Sequence, residues 1–161
     1  MPEADYLGGE PTSSNRFLFE VDGVEIGTFR EVRGLEVTAV LEEYAEGGEN
    51  GYVHRLPGRL SWPNLVFRRG LTQGDALFAW VNKTAGQGFA AAGDSLVRST
   101  GAVTVLGERG ERLRAWEFDG VFAVRWTGPN FDVESAHSLE EELEVAHNGF
   151  RSRTSSGSGA T

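Results

Sequence analysis

Apolar and polar residues alternate with a period of two along much of the chain, as they do in strands that bury one face. Phe17, Phe19 and Val21 share one parity, and Arg16, Leu18, Glu20 and Asp22 take the other. Asp22-Gly23 follows and is a strong short-hairpin signal. Val24, Ile26 and Thr28 share a face on the returning strand, with Gly27 as a candidate bulge. Gly34 breaks the pattern; Leu35, Val37, Ala39 and Leu41 then resume it, opposite Glu36, Thr38, Val40 and Glu42. Antiparallel strands in this density predict an all-β or α+β domain.

The pattern then lapses. Glu46-Gly47-Gly48-Glu49-Asn50-Gly51 is polar and glycine-rich, which predicts a loop. Leu56-Pro57-Gly58 has the chemistry of a turn. Residues 60–69 carry Leu60, Trp62, Val66 and Phe67, the composition of a strand, and Gly70 stops it. Pro63 inside that run predicts a bulged or edge strand. Residues 44–70 therefore read as a long arm feeding a sheet. Structured excursions of that length are usually functional; a disordered hairpin tip is the alternative.

Period 3.6 occurs once with conviction. Leu77, Trp80, Val81 and Thr84 lie on one face of a predicted helix over about 73–85, with Thr72 as N-cap, Asp75 in the first turn, and Gly86 and Gly88 as its end. Phe78 lies off that face and reads as a satellite of the core, with an exposed contact as the alternative. Residues 90–94 read as a small-residue linker and 96–106 as a segment ending in a strand. Gly107-Glu108-Arg109-Gly110 is a turn. Residues 113–118 and 121–126 read as a hairpin around Asp119-Gly120, with Trp116 and Phe118 on one face and Phe122, Val124 and Trp126 on one face of its partner. Gly128-Pro129-Asn130 is another turn. Residues 131–147 pose a conflict. Local propensity from Ser138 favours a capped helix, whereas Phe131, Val133 and Ser135, and later Leu139, Glu141, Leu143 and Val145, alternate as in a strand. We assign strand, with Leu139, Leu143 and Val145 against the core, because sheet context overrides propensity.

Composition narrows the function. A chain of 161 residues with 39% hydrophobic content supports one folded domain, here 15–150, between a flexible arm (1–14) and a disordered Ser/Gly-rich tail (151–161). Fifteen basic against 24 acidic residues give a formal charge of −9, which argues against specific nucleic-acid binding. There is no cysteine, hence no disulfide and no thiolate metal site. Neither a signal-like N-terminus nor an apolar run long enough to span a membrane is present, so we expect a chain made in the cytoplasm and not inserted in a membrane.

Catalytic motifs are missing. His137 and His147 are not at helical metal-pair spacing, and His147 is assigned a structural hydrogen-bonding role near a strand end. Ser95, Ser135 and Ser138 sit in no nucleophile elbow. Gly47-Gly48-Glu49-Asn50-Gly51 lacks the lysine and hydroxyl of a phosphate loop. Glu140, Glu141, Glu142 and Glu144 read as a solvated face. Arg68-Arg69 is a basic spot better explained by a subunit salt bridge than by phosphate binding. We expect no enzymatic activity, no cofactor and no metal. A hydrolase using a carboxylate pair remains as a rival.

Order and spacing of several short motifs carry a resemblance. Tyr44, Glu46-Gly47-Gly48, Asn50, Arg55-Leu56-Pro57-Gly58, Asn64-Leu65 and Arg69-Gly70 resemble the tail tube proteins of contractile phages, and most closely the inner tube proteins of extracellular contractile injection systems. Gly27-Thr28-Phe29-Arg30-Glu31-Val32 with Gly34-Leu35, Trp116-Glu117-Phe118, Trp126-Thr127-Gly128-Pro129 and Glu144-Val145-Ala146-His147-Asn148-Gly149-Phe150 extend it over residues 15–150. Trp62-Pro63 departs from the family pattern. The resemblance implies two roughly orthogonal antiparallel sheets forming a barrel-like sandwich with one flanking helix. It implies hexameric rings stacked into a tube inside a contractile sheath, with baseplate or spike and cap proteins as partners and a cargo effector in an acidic lumen. The contacts between subunits would fall on Tyr44, Glu46, Gly47, Gly48, Asn50, Tyr52, Arg55, Leu56, Pro57, Gly58, Arg68 and Arg69. Rivals are a specialised initiator or cap-proximal ring of the same particle, and a stand-alone β-barrel module binding a small ligand.

Overall fold

The computed structural model describes residues 16–44, 47–48, 51, 53–84, 98–134 and 139–153. The helix end at Gly86 and Gly88, the 90–94 linker, Leu96, Ser135 and Ser138 lie outside the described residues, as do residues 1–15 and 154–161.

The opening strands follow the alternation. β1 (Arg16–Val21) and β2 (Val24–Phe29) form an antiparallel hairpin whose turn residues, Asp22 and Gly23, both have positive φ, 50° and 80°. Phe19 lies opposite Gly27 and Glu20 opposite Glu25, which leaves Ile26 as the extra residue of a bulge beside Gly27. A short β3 (Glu31–Arg33) precedes Gly34, where φ is 91° and a side chain would collide with the Asn64 carbonyl. The run predicted as one strand over 60–69 is two. β5 (His54–Ser61) and β6 (Leu65–Gly70) are separated at Trp62-Pro63-Asn64, because Pro63 has no N–H for a ladder and Trp62 turns aside. Leu56-Pro57-Gly58, expected as a turn, lies inside β5: Leu56 pairs with Glu42 and Pro57 with Leu41 of β4 (Thr38–Tyr44).

Helix α1 runs Ala76–Thr84 and buries Leu77, Trp80 and Thr84. Its cap falls at Asp75, whose carbonyl accepts from Ala79 N–H at 2.9 Å, and not at Thr72. Phe78 is 41% exposed and meets Trp126 edge-on at 5.2 Å, so it is a surface contact and not a core satellite.

The largest departure is β8. In place of a hairpin around Asp119-Gly120, one strand runs Arg112–Thr127. Its first half pairs with β7 (Ser99–Leu106) and β10 (Phe150–Arg153); its second half pairs with β9 (Glu140–Ala146). The bend between them is fixed by the β9–β10 turn. Asn148 N–H donates to the Asp119 carbonyl at 2.8 Å, and Asp119 N–H donates to the Gly149 carbonyl at 3.0 Å. Gly120, at φ 63°, has no room for a Cβ beside Asn148. The bend also shifts the alternation, so Val121 and Ala123 face the core while Val124 is 48% exposed, contrary to the face assigned to Phe122, Val124 and Trp126.

Hydrogen bonding runs β2-β1-β7-β8-β9-β6-β3, with β10 beside β8, and the path folds over at β8 into two layers. The layers face each other: Phe19 of β1 meets Phe67 of β6 at 4.5 Å and Trp80 of α1 at 5.6 Å. Phe19, Phe29, Phe67, Phe118, Leu143 and Val145 are almost wholly buried between them. β2 and β3 end the path without pairing to each other, so the expected two-layer sandwich is present but not a closed barrel. β9 is a strand, as the period-two pattern requires, with Leu143 and Val145 buried; Leu139 lies just before it and is 41% exposed. Phe131 and Val133 are outside any strand and highly exposed, 76% and 104%. β10 reaches Arg153, past the boundary at 150 that the Ser/Gly composition suggests.

Candidate assembly surface

Among the described residues, β4 and β5 pair only with each other. Every residue of β4 is exposed, as are most of β5. The hairpin is therefore an arm standing off the sandwich, longer than the loop the composition predicts. A bulge in β5, where Gly58 and Arg59 together oppose Val40 between the pairs Ala39–Leu60 and Leu41–Pro57, twists it. At Gly58 a Cβ would stand 2.7 Å from the Val40 carbonyl. One face carries Ala39, Leu60, Leu41 and Pro57 and ends in the Glu43–Arg55 ion pair, 3.6 Å; the other carries Glu42 and Leu56, then Tyr44 and His54. Leu41, Tyr44, Val53, Leu56 and Leu60 are all 50–59% exposed. Gly47 and Gly48 make a turn at the tip, with φ 104° at Gly48. Glu46, Asn50 and Tyr52 lie outside the described residues.

Arg68 and Arg69 are not on the arm. Both belong to β6 and point to opposite faces. Arg68 faces outward into a lattice of alternating charge: it bonds Glu142 at 3.1 Å and approaches Glu31 at 3.5 Å, while Arg33 also reaches Glu142 and Arg125 reaches Glu144. The Glu142 hydrogen bond, then the Glu31 charge, hold the Arg68 guanidinium above its ordinary pKa. The glutamates of β9 at 142 and 144 are thus paired within the chain.

Arg69 faces inward and is 8% exposed. Its Nε donates to Glu141 Oε1 at 2.5 Å, and the second oxygen of Glu141 accepts from Trp126 Nε1 at 3.1 Å. The guanidinium lies 5.2 Å from the Phe29 ring centroid and against Gly27, where a Cβ would overlap it. Parity signals both partners in the sequence: Arg69 follows Leu65 and Phe67, and Glu141 precedes Leu143 and Val145, each two residues apart. The expectation of a solvated glutamate face missed the inward member.

His147 closes the corner where the arm joins. Its Nδ1 accepts from Gly149 N–H at 3.0 Å, so Nε2 carries the proton and donates to the Pro63 carbonyl, also at 3.0 Å. Trp62, Phe118 and Phe150 surround the ring, and the loss of water pushes its pKa below the ordinary imidazole value. The structural role expected of His147 is the one it has. Among the described residues, no three acids or histidines are gathered as a metal site.

Among the described residues the fold is a two-layer β-sandwich with open edges, one helix and an exposed two-stranded arm. The chain belongs to the T4-like virus tail tube protein gp19 family, whose model matches residues 13–151. Solved structures of the same fold include a chain of the sheath–tube complex of an extracellular contractile injection system, PVC, in the extended state: 23% identity, TM-score 0.69, covering 89% of this chain and 90% of that one. A chain from the anti-feeding prophage baseplate (20%, TM-score 0.69, 95% and 97% covered) and one from its tube-terminating cap (21%, TM-score 0.72, 95% and 96% covered) are similar to the same degree. No curated protein sequence matches the chain.

Proposed function

We propose that this chain is the repeating subunit of the inner tube of a contractile injection system or phage tail, forming hexameric rings that stack inside a sheath and conduct cargo. The observation that carries this reading is the arm. Two strands covered on neither face are marginal in water, yet here they expose a run of Leu, Val and Tyr. A neighbouring subunit is the partner a tail tube family member offers for such a surface. The open edges of β2 and β3 add a second need, because unpaired strand edges are a liability that ring closure removes. Contacts of this heterologous kind generate rings, and rings stack into a filament. Sheath, baseplate and cap are the further partners, named by analogy with the complexes in which similar folds occur. The subunit needs no catalytic group for this work.

The experiment is to shorten residues 47–54 to a Gly-Ser link. Loop closure changes by only about 0.6 kcal/mol per doubling of length, so the sandwich stays folded and melts near the parent temperature. Tubes in negative-stain images are lost. Normal tubes from that variant, or a domain that no longer folds, would each show that the arm has another role. A specialised terminal ring is the second reading, supported by the similarity to a cap chain; purified protein that stops at single rings supports it over the repeating subunit.

A further inference from the structure

A groove of about 350 Å³ opens between α1 and the turn joining β1 to β2. Val24, Ile26, Ala79 and Trp80 supply apolar walls, and Asp22 and Lys83 add one charge of each sign. Val24 is 62% exposed there. Trp80 is itself buried, yet its indole N–H has no acceptor among the described residues. Buried indole N–H groups ordinarily find one. The groove is about twice the ~150 Å³ that holds a benzene ring, so it has room for more than one apolar side chain.

The arm carries the exposed apolar side chains that would fill the groove, and among the described residues neither surface is covered. The arm enters β6 at its first residue, and α1 follows its last, so the two are attached at opposite ends of one strand. A contact between the arm of one copy and the groove of the next is therefore head-to-tail, and such contacts repeat along an axis. Charge agrees: Glu43 and Arg55 pair with each other, which leaves Glu42 for Lys83 and Arg59 for Asp22.

We propose that this groove receives the apolar side chains of the β4–β5 arm from a second copy of the chain. The assignment rests on the tube-subunit reading above and names the surface on which the arm lands. The rival occupant is the chain's own segment 85–97, which starts beside Thr84 and ends before Ser99 at the groove.

The test uses the full chain with Ala79→Trp, which fills the groove from an exposed helix position, and Asn82→Trp as a control on the same helix outside it. Ala79→Trp is expected to melt with the parent and to raise the concentration needed for tube assembly at least about tenfold. Asn82→Trp assembles as the parent does. In this cysteine-free chain, Val24→Cys with Leu56→Cys should give a disulfide ladder on oxidising assembled tubes, and neither single variant should. Parent-like assembly of Ala79→Trp, with no ladder from the pair, overturns the groove assignment while leaving the tube reading intact. A lowered melting temperature with normal tubes gives the groove to the chain's own segment and likewise overturns it. A parent chain that forms no tubes overturns both readings.

Discussion

Removing the carboxylate of Glu141 tests the account of the interior most sharply. Glu141 is 7% exposed and accepts two hydrogen bonds, from Arg69 and from Trp126. In Glu141→Ala the guanidinium of Arg69 stays boxed in by Phe29 and Gly27 with no counter-charge, and the Trp126 indole loses its acceptor. Orphaning one partner of a buried pair costs about 3–5 kcal/mol. For a domain of this size each kcal/mol moves the melting temperature by about 4 °C, so a drop of about 12–20 °C is expected. The comparison variant is Glu117→Ala. Glu117 bonds Arg151 at 2.7 Å, but the Arg151 side chain is 62% exposed, and an exposed pair contributes less than about 1 kcal/mol. Arg69→Met combined with Glu141→Leu removes both charges and should recover most of the loss, since apolar replacement of a buried pair is often neutral. Thermal melts followed by near-ultraviolet circular dichroism read all three. If Glu141→Ala melts within a few degrees of Glu117→Ala, then Arg69 has found water and is not sealed in as described.

Gly27→Ala should destabilise by about 1–3 kcal/mol through overpacking against the pinned Arg69 guanidinium, and a urea midpoint measures it. Gly149→Ala places a Cβ 3.1 Å from the Trp62 ring at φ 128°; a loss of about 1–3 kcal/mol with a shifted Trp62 fluorescence maximum is expected, and an unchanged spectrum counts against that packing. His147 gives a pH signature. Its folded pKa is lowered, so the unfolded chain takes up the proton first; stability is complete above about pH 6.5 and falls as pH drops from there toward the folded value. Protonation would put a proton on Nδ1, where Gly149 N–H now donates. Urea midpoints at pH 7.5 and 5.5 should therefore diverge more in the parent than in His147→Gln, and equal slopes would contradict the assigned tautomer and burial.

How much of this was legible in the sequence depends on whether the deciding contact is local. The β1–β2 hairpin follows from Phe17, Phe19 and Val21 with Asp22-Gly23, because turn and alternation act within a few residues. α1 follows from Leu77, Trp80 and Thr84 for the same reason, and only its cap moved, to Asp75. Residues 140–146 became a strand against helix propensity because β6 and β8 bracket them, with Arg68 and Arg125 opposite the outward glutamates. The failures have distant causes. Asp119-Gly120 reads as a hairpin turn until Asn148 and Gly149, some thirty residues on, occupy the place of the returning strand. Pro57-Gly58 reads as a turn until β4 supplies a partner, and a bulge at Gly58-Arg59 opposite Val40 takes it into the ladder. The arm's tip was visible from its glycines, but its length was not, since residues 38–44 alternate like any half-buried strand and yet face solvent on both sides. Arg69 and Glu141 were separable from their outward neighbours by parity alone, although neither shows the other as its partner.

The continuity of β8 has a mechanical consequence. One backbone carries the ladders of both layers, so a pull on the β7 side reaches β9 through covalent bonds and not across the apolar interface. The layers cannot be peeled apart as two plates. To separate them, the strand must be stripped of neighbours on both sides of its bend, and the lock at Asp119 with Asn148 and Gly149 must open in the same event. A domain built this way yields as a whole under load and not layer by layer.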